Sequence, residues 1–410
     1  MHIAFLAPRF YPYRGGYENY SLSLARHLHS AGNRVSVFTT TAWDLESLWL
    51  DGFRTVPPGK ETYDSIEIHR FPICYRRWRR RATRVLSFVP DWRLRAKYSR
   101  PGFAVLGLAE ALRAASPDII HVGPLPFNNL MCTGISEARR RNIPVIATPC
   151  THFGEEQNND VSRYYVQRFQ IKMLNACDIV LTLTQVEADK LMNLGVHSQK
   201  LRVSGAGIDV QNVTGGDPER IRTKYGIRRP IVLHLGMKAY DKGSICVVES
   251  MKVLWDRGVD AHLVLAGPGL SAFDDYLAQQ TSHHHRLLNL GTVDEQDKKD
   301  LLAAADIVVQ PSRVESLGLI LLEAWANEKP VIAADIAVSR ELVELGFDGL
   351  LVPFGDNHAL AEAIAKLLQD PESRGLMGEH GKRKVLRSFD ANRIVERVSP
   401  LFSMEAHVQP

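Results

Sequence analysis

The chain has 410 residues, 45% of them hydrophobic, and a formal net charge of +4. A chain of this length exceeds one ordinary hydrophobic core, so we expect two domains. The five cysteines are scattered and form no CxxC pair, which argues against a zinc site or a disulfide framework and favours a reducing, cytoplasmic setting.

Short β-branched stretches alternate with amphipathic segments from one end of the chain to the other. The first, MHIAFLAP, lacks the basic start and the small-residue cleavage site of a signal peptide and is predicted as a strand. No apolar run approaches the roughly 20 residues that cross a bilayer. The further strand candidates, in chain order, are RVSVFTT, SIEIHRF, DIIHVG, PVIATP, DIVLTLT, LRVSGAG, PIVLHLG, AHLVLAG, LLNLG, DIVVQPS, PVIAAD and GLLVPF.

These short, nearly continuously apolar strands, separated by helices, predict parallel sheets that are covered by helices on both faces. Because the strands fall in two sets, we predict an α/β protein of two doubly wound domains rather than one barrel. The stretch GAGIDVQNVTGGDPER, at 205–220, interrupts the pattern and marks a boundary between domains at 1–207 and 208–388. The last segment, SFDANRIVERVSPLF, is predicted as a helix capped by Asp390.

Three loops carry glycine or charge where ligands bind in open α/β sheets, beyond the carboxyl ends of the strands. The first, RFYPYRGGYEN, follows the first strand. Gly15 and Gly16 would let the backbone approach a ligand, and the helix predicted to begin near Glu18 would direct N–H groups at an anion. A plain turn is the alternative, because glycine is common in turns.

The second loop, GMKAYDKG, follows the strand PIVLHLG and contains Gly236, Lys238, Lys242 and Gly243. A lysine at the start of a helix is unfavourable against the helix dipole. Its presence there therefore indicates a bound anion such as a phosphate. A pair of solvated lysines on a surface loop is the alternative.

The third loop follows the strand DIVVQPS, and its helix is predicted to begin near Gly318. Glu315 would then lie in the loop and Glu323 in the second turn, roughly 8 Å along the helix axis from its start. Carboxylates suit ligands rich in hydroxyl groups because they accept hydrogen bonds. The alternative is that Glu323 faces solvent and Glu315 is an ordinary acid near a helix start.

Taken together, these stretches resemble the retaining GT-B glycosyltransferases of glycosyltransferase family four, the glycosyl transferases group 1. The E-x7-E signature of that family corresponds to ESLGLILLE, preceded by QPS and followed by KPVIA. APRFYPYRGGYENYSLSLARHL is similar to its N-terminal glycine loop, and GMKAYDKG to its donor diphosphate loop. DIIHVG, ATPCTHFGE, GAGID and GLLVPFGD extend the resemblance over nearly the whole chain.

The resemblance implies roles for individual residues. Lys242 would pair with the donor diphosphate, Glu315 would contact the transferred sugar, and His152 would lie near the sugar on the acceptor side, so that these three form the catalytic set. Glu323 would bind the nucleotide ribose. The implied donor-binding residues are Gly15, Gly16, Gly236, Lys238, Lys242, Gly243, Glu315, Ser316, Leu317, Gly318, Leu319 and Glu323.

The sequence departs from the family at the diphosphate loop. The arginine that usually follows the loop glycine is Met237 here. Lys238, the next residue, is the candidate to replace it, although lysine lacks the bidentate fork of arginine.

The implied fold is GT-B, with two Rossmann-like doubly wound domains facing across a cleft. The N-terminal domain, 1–207, would bind the acceptor and receive a returning C-terminal helix at 389–410, and 208–388 would bind the donor. The implied activity is transfer of a hexosyl group, with retention, from a UDP- or GDP-sugar to a hydroxyl of a glycan or a lipid-linked acceptor. The sequence contains no DxD, so no metal and no other cofactor is expected.

Two other functions remain open. A sugar-nucleotide epimerase has the same fold and would convert the donor without any acceptor. A non-catalytic nucleotide-sugar binding module would bind the donor without releasing the nucleotide. The histidines at 283–285 are expected in a solvated loop rather than around a metal, and His121, at a strand end, is expected to pack in the core.

Residues 75–102 contain ten arginines and lysines against one acid, with Trp78, Phe88 and Trp92 among them. This composition suits the anionic inner face of a membrane, to which the chain would bind peripherally. A solvated basic helix that packs through its aromatic residues is the alternative. No recognition motif accompanies the charge, so nucleic acid is not expected as a partner.

The membrane hypothesis predicts that the chain floats with vesicles that contain anionic lipid and stays behind with neutral vesicles, because each basic side chain near an anionic surface contributes about 1 kcal/mol. Flotation at low and high salt measures this, and salt should weaken it. Absence of flotation with anionic vesicles at low salt would remove the hypothesis.

Overall fold

The computed structural model describes residues 1–13, 15–75, 89–99, 103–153, 165–280 and 284–403. Most of the basic stretch at 75–102, including Trp78 and Phe88, lies outside these residues, as does His283. The chain divides into two compact units. The first comprises Met1–His152, Asn159–Gly205 and Ile394–Pro410, and the second comprises Phe153–Asn158 and Ala206–Arg393.

The first unit is built on an eight-stranded sheet and a two-stranded one. Its strands are β1 (His2–Leu6), β2 (Arg34–Thr40), β3 (Gly59–Tyr63), β4 (Ile66–Phe71), β5 (Ile73–Cys74), β6 (Ala104–Val105), β7 (Ile119–Val122), β8 (Val145–Ala147), β9 (Ile179–Thr182) and β10 (Leu201–Val203). Its helices are α1 (Gly16–Ser30), α2 (Trp92–Tyr98), α3 (Leu108–Ala115), α4 (Asn128–Arg141), α5 (Arg168–Asn175) and α6 (Gln185–Asn193).

The large sheet has the order β10-β9-β8-β7-β1-β2-β4-β3. All pairs are parallel except β3–β4, which is antiparallel. The expectation of a purely parallel sheet was therefore wrong at this edge, and β3, β5 and β6 were not predicted. The reason is that β3, with the sequence GKETY, is almost wholly exposed, and a polar edge strand has no apolar signature.

His121, on β7, lies in the core of the first unit, as expected. Its side chain is fully buried. Its Nε2 lies 2.7 Å from Thr148 Oγ1, and its ring centroid lies 4.7 Å from that of Phe5. Burial lowers the pKa of His121 to about 3, so the imidazole is neutral and serves packing.

The described part of the basic stretch includes helix α2, which packs against α4 and α5. Ala96 is fully buried on the packed side. Asn129 Nδ2 donates a hydrogen bond to the carbonyl oxygen of Lys97 at 2.8 Å. One side of this helix is thus occupied by the protein itself. No helix in the described parts of the chain combines the length and the apolar character that crossing a membrane requires.

The second unit is built on a six-stranded parallel sheet. Its strands are β11 (Ile231–Leu235), β12 (His262–Ala266), β13 (Leu287–Gly291), β14 (Ile307–Gln310), β15 (Val331–Ala334) and β16 (Gly349–Val352). Its helices are α7 (Val210–Val213), α8 (Pro218–Tyr225), α9 (Ser244–Asp256), α10 (Ser271–Ala278), α11 (Glu295–Ala304), α12 (Leu319–Ala326), α13 (Ala337–Leu342), α14 (Asn357–Gln369) and α15 (Pro371–Lys384), and α16 (Ala391–Val398) follows.

The strand order of the second unit is β13-β12-β11-β14-β15-β16, and all six strands agree with the sequence-based prediction. The order reverses between β11 and β14. In doubly wound sheets this reversal leaves a crevice at the carboxyl ends of the two strands, where ligands bind. The two loops that follow β11 and β14 are the second and third of the loops that stood out in the sequence.

Helix α12 packs closely against α15. Trp325 of α12 is fully buried, and its Nε1 donates a hydrogen bond to the carbonyl oxygen of Asp348 at 2.7 Å. Gly381 of α15 lies against the indole, where an added Cβ atom would be 2.0 Å from Trp325 Cδ1. Only a residue without a side chain allows the two helices to approach this closely.

We therefore predict that Gly381→Ala destabilises the second unit, because overpacking of a buried contact costs about 1–3 kcal/mol. Gly375→Ala is the matched control on the same helix, since a Cβ there meets nothing within 4 Å. It should be neutral or stabilising by about 0.5–1 kcal/mol. Thermal unfolding followed by circular dichroism measures both, and an equal response of the two variants would contradict this account of the packing.

Candidate active site

Two loops at the carboxyl ends of β11 and β14 hold each other in place. The backbone N–H of Arg313 donates to the carbonyl oxygen of Asp241 at 2.8 Å, and the two side chains form an ion pair at 2.6 Å. Gly243 has a φ of 71°, and a Cβ atom there would be 2.2 Å from the carbonyl oxygen of Pro311. Glycine is therefore required where the loops touch.

A buried histidine ties the β11 loop to the start of helix α9. His234 Nδ1 lies 2.9 Å from the carbonyl oxygen of Val309, and Nε2 lies 2.8 Å from Ser244 Oγ. Because a carbonyl only accepts, Nδ1 carries the hydrogen and Nε2 accepts from the hydroxyl. Ser244 Oγ in turn accepts from the N–H of Ala239 at 3.0 Å. Burial lowers the pKa of His234 to about 4, so this chain of hydrogen bonds is intact at neutral pH.

Lys242 and Glu315, both predicted catalytic residues, are in direct contact. Lys242 ends a short 3-10 turn at Tyr240–Lys242 and precedes Gly243, the N-cap of α9. Its Nζ lies 2.7 Å from Glu315 Oε1, and the two side chains are 21% and 14% exposed. The pair is thus largely shielded from water, and Lys242 lies directly before the N-cap of α9.

The second acidic position lies where the sequence predicted it. Gly318, with a φ of 92°, is the N-cap of α12. Glu315 lies in the loop before this helix, and Glu323 lies in its second turn. Helix α12 begins at Leu319, and the first N–H groups of a helix have no intrahelical acceptor. The start of α12 can therefore bind an anion or a hydroxyl oxygen.

Glu323 is buried, with 4% of the residue exposed. Its Oε1 accepts a hydrogen bond from Lys298 Nζ at 2.6 Å. Its Oε2 is also buried but has no hydrogen-bond partner among the residues that the structure describes. Buried polar atoms are nearly always paired. This carboxylate oxygen is therefore able to accept a further hydrogen bond, such as one from a hydroxyl group.

Lys238 points away from the pair of Lys242 and Glu315. It is 1% exposed, and its Nζ donates to Asn289 Oδ1, on β13, at 2.5 Å. Burial lowers the pKa of the Lys238 ammonium. Its backbone joins the loop after β12, with its N–H donating to the carbonyl oxygen of Pro268 at 2.8 Å. The structure therefore gives Lys238 an anchoring contact, and a direct contact with the donor remains a prediction.

Three predicted residues, Gly15, Gly16 and His152, belong to the first unit. Gly15 is the N-cap of α1 and Gly16 its first residue, so the helix begins two residues before the expected Glu18. Glu18 is itself buried and pairs with Arg9 at 3.0 Å. A negative charge therefore already lies beside the start of α1. The ring of His152 stacks on that of Tyr165, with centroids 5.2 Å apart.

The structure adds four residues that the sequence did not single out: His234, Ser244, Lys298 and Arg313. Arg313 carried a usable signal, because it lies two residues before Glu315 in the same loop. His234 and Lys298 act through contacts with residues that are distant in sequence, Val309 and Glu323 respectively, and Ser244 acts through its contact with His234. Within the described ranges, no group of three or more His, Cys, Asp or Glu side chains is arranged to hold a metal ion.

Two family models match the chain. Residues 15–207 match the glycosyl transferase 4-like domain, and residues 217–384 match glycosyl transferases group 1. Together they span the chain from residue 15 to residue 384, apart from 208–216.

One curated relative is the alpha-D-kanosaminyltransferase of Streptomyces kanamyceticus, which is 33% identical over 162 residues. That alignment covers 39% of this chain and 42% of the relative, so the chain matches less than half of that enzyme's length.

Solved structures match along the whole chain. The sucrose-phosphate synthase of Thermosynechococcus elongatus has a TM-score of 0.75 at 21% identity, covering 100% of both chains. Anabaena HepE, in complex with UDP-glucose, has a TM-score of 0.73 at 19% identity, covering 98% of both chains. At these identities the similarity establishes the fold, and the fold agrees with the mainly parallel sheet of the first unit and the parallel sheet of the second. The chain therefore belongs to the group 1 glycosyltransferases and has the GT-B fold.

Proposed function

We propose that the chain transfers a hexosyl group, with retention, from a UDP- or GDP-sugar to a hydroxyl of a glycan or lipid-linked acceptor. The observation that carries the proposal is the contact of Lys242 with Glu315 at the start of α9, beside a helix that carries Glu323 with one unpaired, buried oxygen. A cation, two acids and two helix starts match a pyrophosphate that has a hydroxyl-rich group at either end.

Lys242 and the helix starts would stabilise the leaving diphosphate. Cleavage of the bond to the anomeric carbon passes through an oxocarbenium-like state, with negative charge growing on the leaving phosphate. Lys242 and the N-termini of α9 and α12 would supply fixed positive charge for it. Such preorganised groups are each worth a few kcal/mol in the transition state. His234, Ser244 and Arg313 would keep the two loops in register for this purpose.

The two acids would bind the groups at either end of the pyrophosphate. Glu315 precedes α12 and would accept hydrogen bonds from the transferred sugar. Glu323, five residues beyond Gly318 and thus roughly 8 Å along the axis, would accept them from the ribose. The UDP-glucose complex of the structural neighbour HepE supports a nucleotide sugar as the ligand of this fold.

The remaining roles extend the proposal. The second unit would bind the donor, and the first, with His152, would bind the acceptor. Gly15 and Gly16 would contribute backbone to the donor site. We also propose that no metal takes part, because Lys242 and the helix starts provide the positive charge that a metal ion would otherwise contribute.

The proposal predicts release of nucleoside diphosphate that depends on both a donor and an acceptor. The test is a panel of UDP-, GDP- and ADP-sugars, with and without simple glycan and polyprenyl-linked acceptors, each in EDTA and in Mg²⁺. Acceptor-dependent release in EDTA, with the anomeric configuration of the product retained by NMR, is the expected result. Conversion of the donor without any acceptor would identify an epimerase, and binding without release would identify a binding module.

Lys242 and Glu315 should respond differently to substitution. Lys242→Met should lower turnover about 10²–10³-fold and weaken binding of the free nucleoside diphosphate. Glu315→Gln should also lower turnover. It should leave binding of the free diphosphate unchanged or tighter, because Lys242 no longer has a competing carboxylate. Turnover assays and isothermal titration calorimetry measure the two effects.

Lys252→Met is the control for this pair, since Lys252 lies on α9 and forms its ion pair with Glu249 at 2.9 Å. Its activity should equal that of the unmodified chain. If Glu315→Gln weakened binding of the free nucleoside diphosphate as strongly as Lys242→Met, the separate roles assigned to the two side chains would be wrong.

A further inference from the structure

Glu323 occupies a place that is costly for an ionised side chain. It lies on α12, whose apolar residues are buried, and it is 4% exposed itself. Removing a carboxylate from water costs several kcal/mol unless an opposite charge and hydrogen bonds compensate. Lys298 provides that charge, with its Nζ 2.6 Å from Glu323 Oε1.

Lys298 of α11 pairs with Glu323 of α12, whereas two acids of α11, Asp297 and Asp300, pair with α8. Asp297 forms ion pairs with Arg220 at 2.5 Å and with Lys224 at 2.6 Å, both on α8. Asp300 also pairs with Arg220. The helix thus uses two of its acids to bind α8 and one of its two lysines, Lys298, to bind Glu323. Lys298 is 17% exposed at the side chain, so the ammonium is largely withdrawn from water.

We propose that Lys298 is a positioning residue for nucleotide binding: it holds Glu323 Oε1 so that Oε2 faces a ribose hydroxyl. The proposal rests on the function proposed above. One oxygen of the carboxylate is fixed by a charge-assisted hydrogen bond, which is stronger than a neutral one. The other oxygen is buried and unpaired within the described part of the chain. The carboxylate is therefore oriented before the nucleotide arrives, which lowers the cost of binding.

This arrangement links Lys298 to a single group of the ligand. The effect of Lys298 on affinity should be transmitted through Glu323 to a ribose hydroxyl. A nucleotide that lacks the hydroxyl bound by Oε2 should therefore be insensitive to the identity of residue 298. A residue that only stabilised the fold would affect ribonucleotides and deoxyribonucleotides equally.

The test uses isothermal titration calorimetry of the full chain with UDP, GDP and ADP, followed by the 2′-deoxy and 3′-deoxy forms of the tightest binder. Lys298→Met should weaken binding of that nucleotide about tenfold or more, as expected for losing a hydrogen bond to a charged group. Lys298→Arg should retain most of the affinity. Lys299→Met, at the next position of α11, is the matched control and should bind as the unmodified chain does.

Two further measurements separate positioning from folding. In a Glu323→Gln background, Lys298→Met should cause no additional loss of nucleotide affinity. With one of the two deoxynucleotides, Lys298→Met and the unmodified chain should bind with the same affinity. In turnover assays, Lys298→Met should raise the donor KM more than it lowers kcat. If Lys298→Met does not fold, as judged by circular dichroism, Lys298→Gln replaces it throughout.

The outcomes distinguish this inference from the function on which it rests. If the unmodified chain binds none of the three nucleotides, the proposed function fails and the inference fails with it. If the unmodified chain binds but Lys298→Met binds as tightly as Lys299→Met, only the inference is overturned. The inference would also be overturned if Lys298→Met lost as much affinity in the Glu323→Gln background as it does in the unmodified chain. The same holds if it lost as much affinity for both deoxynucleotides as for the ribonucleotide.

Discussion

The candidate site depends on the attachment of one loop to another at the point where the strand order of the second sheet reverses. The loop after β11 and the loop after β14 are joined by the backbone and side-chain contacts between Asp241 and Arg313. Parallel strands bring these loops side by side, but strand geometry alone does not fix their positions. Their positions are fixed by the ion pair, by the glycine at 243 and by the hydrogen bonds of His234. The contact of Lys242 with Glu315 follows from that attachment.

The charges of the second unit are organised in pairs at increasing depth. Arg313 and Asp241 join the loops near the surface, Lys242 and Glu315 form the shielded centre, and Lys298 and Glu323 lie deeper, beside the core. Surface ion pairs contribute little to stability. The deeper pairs place ionised groups where water does not compete for them, and this is the setting in which they act most strongly on a ligand.

Much of this arrangement could be predicted from the sequence. The strands of the second unit are continuous apolar runs, so their number and type were evident. Gly318 marks the start of α12. It therefore also predicts that Glu315 lies in the loop before the helix and Glu323 within it. Edge strand β3 was missed because its residues are polar. Lys298 was missed because it lies in the polar stretch DEQDKKD, typical of a solvated helix. Its contact with Glu323 on α12 forms only in the folded chain. The contact of Lys238 with Asn289 likewise depends on tertiary packing and could not be predicted from the sequence.

The ion pair between Lys242 and Glu315 has a thermodynamic consequence for the end of the proposed reaction cycle. In the proposed cycle, a bound donor would bring its sugar hydroxyls to Glu315 and its phosphates to Lys242, which would separate the pair. After transfer of the sugar, Glu315 would compete with the nucleoside diphosphate for the Lys242 ammonium. The carboxylate that would bind the intact donor would thus favour release of the nucleoside diphosphate, as the ion pair of Lys242 and Glu315 forms again.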